Sequence, residues 1–203
     1  MKKSLILLIA ILALLGLLTH GVSQPAQQPK TTRAQIAETG KEIRLVDPSQ
    51  TAKVIRMQDL IGVPLGPENR FSRIATAATD QTLVFVTSGD ADGIGTIDMT
   101  RGLGRVIAIF DKSVITRLHE WSPDSTMIPF EVKMPSGLST IYILDVGKDT
   151  LSPPIPQDSR FDGGNTSIEW ARDSGSLTIS YQHQSGTKRF LVSTKSWLVR
   201  EER

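Results

Sequence analysis

The stretch Trp-Ser-Pro-Asp-Ser at residues 121–125 decides the fold, because a variant of it, Trp-Ala-Arg-Asp-Ser, returns at residues 170–174. Each copy runs from a tryptophan into a short polar turn and then into an alternation of apolar and polar residues. Such alternation is typical of a half-buried strand. Trp121 and Trp170 stand 49 positions apart. Self-similarity at a fixed interval predicts an all-β chain made of repeated sheets.

A weaker third copy comes earlier, at residues 77–81, with Ala77 in the place of the tryptophan. The turn aspartates then stand at Asp80, Asp124 and Asp173, at intervals of 44 and 49. This spacing fits the roughly 40 to 50 residues of one β-propeller blade. Residues 42–57 add two alternating segments around a turn, as in the back half of a blade. The sequence therefore predicts a β-propeller-like domain with about three and a half four-stranded blades.

Five residues of the repeat are predicted to be structural. A proline followed by an aspartate presets the backbone and lets the carboxylate accept hydrogen bonds from turn amides. An indole is large enough to fill the space between adjacent sheets. The residues are Trp121, Pro123, Asp124, Trp170 and Asp173.

The second copy resembles the repeat of TolB-like β-propellers, whose blades read Trp-Ser-Pro-Asp-Gly, an apolar strand, and then Ile-Tyr, an apolar residue and Asp. Here residues 121–125 and Ile-Tyr-Ile-Leu-Asp at 141–145 carry the match, and Ser125 and Ser174 replace the turn glycine. The resemblance spans roughly residues 41–199. It implies a binding or scaffolding module of the cell envelope, or a non-catalytic domain like the gate of prolyl-oligopeptidase-like enzymes.

The N-terminal segment is predicted to be a targeting segment that is separate from the folded domain. Lys2 and Lys3 precede an apolar run at residues 5–18, which is short for a spanning helix. Residues 1–23 are therefore interpreted as a signal peptide, with an uncleaved membrane anchor as the alternative. Residues 24–40, rich in Gln and Pro, are predicted to be a flexible linker, and residues 41–203 the folded domain. The protein is expected to be periplasmic or secreted.

Charge and composition bound the partners. Removing residues 1–23 takes two lysines from 23 basic residues and leaves 21, equal to the 21 acidic residues. A domain with no net charge does not attract the negatively charged backbone of a nucleic acid over long range, so no nucleic-acid partner is expected. Membrane contact is expected only through the N-terminal segment, if it stays uncleaved.

Candidate chemistry is weak along the whole chain. Asp90, Asp92 and Asp98 have the look of a calcium loop, but Asp-Gly between apolar strands is more typical of a hairpin turn. His119 and His183 follow no hydrolase pattern. Ser-Gly-Thr-Lys at 185–188 matches the Ser-x-x-Lys motif of penicillin-recognising enzymes, but that chemistry needs the serine at the start of a helix, and here it lies in a predicted hairpin. No enzyme activity, metal or cofactor is predicted. Seven arginines near predicted loops could form one patch for an acidic partner, but they are interpreted as dispersed over the surface. They are Arg70, Arg73, Arg101, Arg105, Arg117, Arg160 and Arg172.

The predicted function is an exported, non-enzymatic protein-interaction or scaffolding module. Its alternatives are the non-catalytic propeller component of a hydrolase system and a structural envelope component. Because closed propellers need at least four blades, something must complete the ring. Another envelope protein is the expected partner, and a homodimer is a further hypothesis that would remove exposed strand edges.

Overall fold

The computed structural model describes residues 32–46, 52–79, 81–155, 166–183 and 186–202. These residues belong to one compact unit that begins at Thr32. Strands dominate it, and its helical content is a single turn of 3-10 helix at Met57–Asp59. No helix in the described part of the chain has the length and apolar character needed to cross a membrane.

The strands form four sheets in chain order, which are named sheets I to IV. Sheet I holds β1 (Arg33–Ile36), β2 (Glu42–Val46) and β3 (Ala52–Arg56). Sheet II has the order β4-β8-β7-β6-β5, with β4 (Ile61–Gly62), β5 (Arg70–Thr76), β6 (Thr82–Ser88), β7 (Asp92–Asp98) and β8 (Leu103–Phe110). Its β4 runs parallel to β8, whereas the other strand pairs are antiparallel.

Sheets III and IV are regular four-stranded meanders. Sheet III holds β9 (Val114–Leu118), β10 (Met127–Lys133), β11 (Ser139–Asp145) and β12 (Thr150–Leu151). Sheet IV holds β13 (Thr166–Trp170), β14 (Ser176–His183), β15 (Gly186–Ser193) and β16 (Val199–Glu202). The predicted all-β, propeller-like fold with three full units is confirmed.

Consecutive sheets pack face to face, because their strands alternate apolar side chains between two sides. In β6, Leu83 and Phe85 join a cluster with sheet I, while Val84 and Val86 join a cluster with sheet III. Ile143 of β11 belongs to a third cluster, shared with sheet IV. Successive side chains of a strand point to opposite faces, so the two inner sheets are buried on both sides.

The two end sheets each have one outer face that none of these three clusters of described residues covers. On sheet IV, β14 turns Leu177 and Ile179 inward, and its intervening residues Thr178 and Ser180 form a polar outer face. The outer face of sheet I is charged, with Arg44 and Arg56 both paired to Glu42. Polar outer faces are what terminal repeats of a stacked array require.

The same backbone hydrogen bond occurs at one corner of each sheet: between β1 and β2, β5 and β6, β9 and β10, and β13 and β14. An amide donates to the carbonyl five residues on, at 2.8 or 2.9 Å: Ala37 to Glu42, Ala77 to Thr82, Ser122 to Met127, and Ala171 to Ser176. A second backbone hydrogen bond follows β3, β7, β11 and β15. Its amide donors and carbonyl acceptors are Met57 and Lys41, Met99 and Gln81, Val146 and Thr126, and Thr194 and Gly175. The repeat therefore occurs four times.

Two sequence-based boundaries were wrong. The first concerns the linker predicted to end at residue 40, because Arg33–Ile36 is a strand paired with β2 and residues 37–41 form the first corner. The half-unit is thus a three-stranded sheet. The part of the linker at residues 24–31 lies outside the described residues, as do residues 1–23. The second concerns the weak copy, in which Ala77 is equivalent to Ser122, so Thr76 stands at the tryptophan position.

Candidate protein-interaction surface

Asp124 ties together the corner of sheet III. Its Oδ1 accepts hydrogen bonds from the Ser122 hydroxyl (2.7 Å), the Thr126 amide (3.1 Å) and the Thr126 hydroxyl (2.8 Å). Burial acts to raise the pKa of Asp124, but hydrogen bonds from Ser122, Thr126 and Ser174 outweigh it and lower the pKa. Ser125 beside it has a φ of 58°. The side-chain bonds hold a left-handed backbone that a residue other than glycine rarely adopts.

The equivalent corner of sheet IV has fewer bonds but reaches its neighbour. Asp173 accepts one hydrogen bond, from the Gly175 amide at 2.9 Å. The Ser174 hydroxyl accepts a bond from the Asp124 amide at 3.2 Å, and the Trp170 indole donates to the Glu120 carbonyl at 3.1 Å. Both contacts join sheet IV to sheet III. The Trp121 indole is half-buried against sheet II, and its Nε1 has no hydrogen-bond partner within the described residues.

The three aspartates of the proposed calcium loop do not converge. Asp92 and Asp98 are the first and last residues of β7, roughly 20 Å apart for an extended strand. Asp92 accepts a bond from the Ile115 amide at 2.7 Å, and Asp98 pairs with Arg101. Asp90 lies in the turn before β7, so the hairpin turn is at residues 89–91 and not at Asp92-Gly93. The described residues contain no group of three metal-binding side chains.

Of the candidate catalytic residues, the structure describes the side chains of His119 and Lys188. Burial and the charge of Arg117 lower the pKa of His119 to about 4, so its ring is neutral at pH 7. The side chain of His183, Ser185 and Arg160 lie outside what the structure describes. Lys188 pairs with Glu201 at 3.5 Å. The arginines divide among separate places, with Arg101 and Arg105 in one depression and Arg73 and Arg117 in another.

A concave groove of about 570 Å³ lies between sheet I and the chain that enters sheet II. Its apolar wall comes from the 3-10 turn, the segment after it and β8: Met57, Leu60, Val63, Pro64, Leu65 and Val106. Its charged rim comes from sheet I: Lys41, Glu42 and Arg56. An apolar wall with a few fixed polar groups is the usual composition of a binding site.

Two sets of hydrogen bonds hold the walls of the groove in place. The Lys41 ammonium donates to the carbonyls of Pro67 (2.6 Å) and Asn69 (2.8 Å), which ties the segment before β5 to sheet I. The buried Asn69 side chain in turn donates to the Ala91 carbonyl. On the rim, Arg56 and Glu42 pair at 3.4 Å. The groove is therefore preformed, which lowers the entropy cost of binding.

Large apolar side chains stand exposed beside the groove. Ile61 is 56% exposed and Val63 is 41% exposed, whereas Leu103 on the adjacent β8, which is 60% exposed, lines a separate depression. Because β4 is the edge strand of sheet II, one side of it has no strand partner in that sheet. Pro64, Gly66 and Pro67 predict an inter-blade loop over residues 60–69, and that prediction does not include this surface. Ile61 and Val63 within a Pro- and Gly-rich segment were the signal that was available.

No known family profile matches the chain, and no curated protein matches it. Solved structures share the fold. TolB from Acinetobacter baumannii is 15% identical with a TM-score of 0.48, over 85% of this chain and 40% of that one. An uncharacterized protein from Listeria monocytogenes is 12% identical with a TM-score of 0.50, over 70% of this chain and 42% of the other. The β-propeller domain of the Trilobed protease from Pyrococcus furiosus is 17% identical, with a TM-score of 0.45.

These likenesses concern the fold. The class is an all-β, propeller-type arrangement of small antiparallel sheets, and TolB proteins are among the solved structures similar to it. The resemblance to TolB-like repeats is therefore confirmed as a resemblance of fold. The chain spans less than half the length of the structures from Acinetobacter and Listeria.

Proposed function

We propose that this chain is a non-enzymatic protein-interaction module of the cell envelope, and that it binds its partner through the groove beside β4. The observation that carries the proposal is the coincidence of a preformed groove with a sheet edge that bears two exposed apolar side chains, Ile61 and Val63. Apolar residues gathered beside a concave surface are typical of interaction sites.

A protein is the ligand class that suits this surface. An extended segment of a partner would add to the free side of β4, while its side chains enter the groove. Met57 and Leu60 offer an apolar floor, and the ion pair of Glu42 and Arg56 offers both charges at the rim. Burial of Ile61 and Val63 would then supply the apolar contribution, at about 25 cal/mol per Å² of surface removed from water.

Export is part of the proposal and rests on sequence. The charged start and apolar run of residues 1–23 are the features of a signal peptide, with a retained anchor as the alternative. In either case the folded unit would act outside the cytoplasm. The two related hypotheses, a component of a hydrolase system and a structural envelope component, stay predictions. Hydrolysis of ester or peptide probes by the pure chain would contradict the non-enzymatic assignment.

The homodimer also stays a prediction. The composition of the outer face of sheet I does not favour a ring in which two copies pack end to end. Faces that meet between sheets carry apolar rows such as Leu83 and Phe85. The outer face of sheet I instead combines the charged Glu42, Arg44 and Arg56 with the exposed Val46 and Val54. Burying such charges between two copies would cost several kcal/mol unless each were fully paired.

Site-specific photo-crosslinking in the native host tests the groove. A photoreactive residue at position 61 is expected to capture a discrete partner protein. The matched control is position 198, because Leu198 is 62% exposed and Ile61 is 56% exposed. A partner captured equally from both positions, or from neither, would contradict the proposal.

A second variant pair measures the contribution of the apolar patch. Ile61→Asp is expected to reduce partner capture at least about tenfold, since a charge would enter an apolar contact. Leu198→Asp should leave capture unchanged. Both side chains are exposed, so both variants should melt within a few degrees of the unsubstituted protein.

A further inference from the structure

A second depression, of about 530 Å³, lies along β1 of sheet I, β5 of sheet II and β9 of sheet III. Its polar lining consists of hydrogen-bond donors and hydroxyls: Ser72 and Arg73 of β5, Thr116 and Arg117 of β9, and His119 just after β9. The remaining lining is apolar, from Ile36, Ile74, Ala75 and Leu118. The described residues that line it include no acidic side chain.

The two guanidinium groups are only partly compensated. Neither Arg73 nor Arg117 forms an ion pair within the described residues, whereas eight other basic side chains do. Arg73 donates to the Ile115 carbonyl, which fixes its direction between sheets II and III. The carboxylate of Asp92 is near enough to feel the charge of Arg73, and it accepts the Ile115 amide. The buried Glu131 stands directly opposite Arg117 on β10, and neither it nor Asp92 forms an ion pair with these two arginines within the described residues.

His119 adds an unused polar atom to the same wall. Its Nε2 is buried and has no hydrogen-bond partner among the described residues. Leaving a buried polar atom without a hydrogen bond destabilises the fold, so such atoms in native proteins call for an explanation. A bound group in the depression that engages the ring would provide one.

We propose that this depression binds an oxyanion, a carboxylate or phosphate group, between Arg73 and Arg117. Planar guanidinium groups match the geometry of both anions. The hydroxyls of Ser72 and Thr116 also line the depression, but they donate to the backbone carbonyls of Val86 and Glu131. The site is separate from the groove beside β4, since the two share no lining residue. It goes beyond protein binding and adds a small-anion ligand.

NMR titration of the labelled chain at constant ionic strength tests this site. Inorganic phosphate is one probe and succinate is the other, so that the two sources of an oxyanion are distinguished. Saturable shifts are expected at the Nε–H signals of Arg73 and Arg117 and at the ring of His119. The signal of Arg172, which is exposed in the corner of sheet IV, should not move.

Substitution separates a specific site from general attraction. Arg117→Gln is expected to weaken binding of the tighter probe about tenfold or more, because one charge-assisted bond is lost. Arg172→Gln is the matched control and should bind as the unsubstituted chain does. Shifts that fail to saturate, or equal losses in both variants, would overturn the proposal. Partner capture through position 61 is measured separately, so a failure of the anion site is distinguishable from a failure of the groove.

Discussion

Sheets III and IV begin with the same motif, yet their residues act in different surroundings. Sheet III is buried on both faces, and six of the seven residues of β10 are buried. Sheet IV is buried on one face, and its other face is polar. Within the described residues, the Asp124 carboxylate accepts hydrogen bonds from two hydroxyls and one amide, whereas the Asp173 carboxylate accepts one, from an amide. The motif thus sets the corner, while the neighbouring sheets decide how much each residue contributes.

The largest expected effect compares two equivalent positions on the third strands. Ile143 and Leu191 each stand three residues before the amide that closes their unit, at Val146 and Thr194. Ile143 is fully buried against sheet IV, while Leu191 is half-buried on the outer face. Ile143→Ala should lower the free energy of unfolding by about 2 to 5 kcal/mol, and Leu191→Ala by about 1 kcal/mol or less. Urea unfolding measures both, and equal losses would break the comparison.

The corner aspartates should differ by less. Asp124→Ala is expected to cost about 1 to 2 kcal/mol and Asp173→Ala about half of that, because fewer bonds are lost. The folded pKa of Asp124 lies below its unfolded value. Its contribution is therefore present above about pH 4 and is lost as the pH falls through the folded pKa. The gap between the two variants measured by urea unfolding should close on acidification, and a gap that widens would contradict this.

The smallest expected effect compares the two tryptophans. Trp170→Phe removes the indole bond to Glu120 and should cost about 1 kcal/mol from that bond, beyond any packing loss. Trp121→Phe removes an Nε1 that has no partner in the described part of the chain. It should therefore cost less, and thermal melting compares the two. A greater loss at Trp121 would show that packing, and not the hydrogen bond, separates the two corners.

Much of the fold could be predicted where local chemistry repeats. The strands of sheets III and IV follow from alternation after Trp121 and Trp170, and their corners from the Asp turns. Sheet I was recognised only in part, because Arg33–Ile36 is short and largely polar and follows a Gln- and Pro-rich segment. Its corner uses Thr39, whose hydroxyl accepts a bond from the Lys41 amide at 3.3 Å, in the role that Asp124 has in sheet III.

Two further features depend on contacts between distant segments. The alignment of the weak copy on Asp80 is off by one residue, because the backbone hydrogen bonds make Leu83 the equivalent of Ile128. The apolar alternation is therefore a better guide to the repeat than the aspartate. The groove beside β4 forms only when Lys41 binds the carbonyls of Pro67 and Asn69. Such contacts, across more than twenty residues, have no periodic signature in a single sequence.

The mass of the purified chain by native mass spectrometry tests the central claim, a stack of four sheets that no apolar cluster of the described residues extends at either end. The account predicts a single copy of at most 22.2 kDa, because charged side chains accompany the exposed Val46 and Val54 on the outer face of sheet I, and the outer face of sheet IV is polar. A stable dimer that Arg44→Glu disrupts, but Arg172→Glu does not, would contradict it by showing that the outer face of sheet I is an interface.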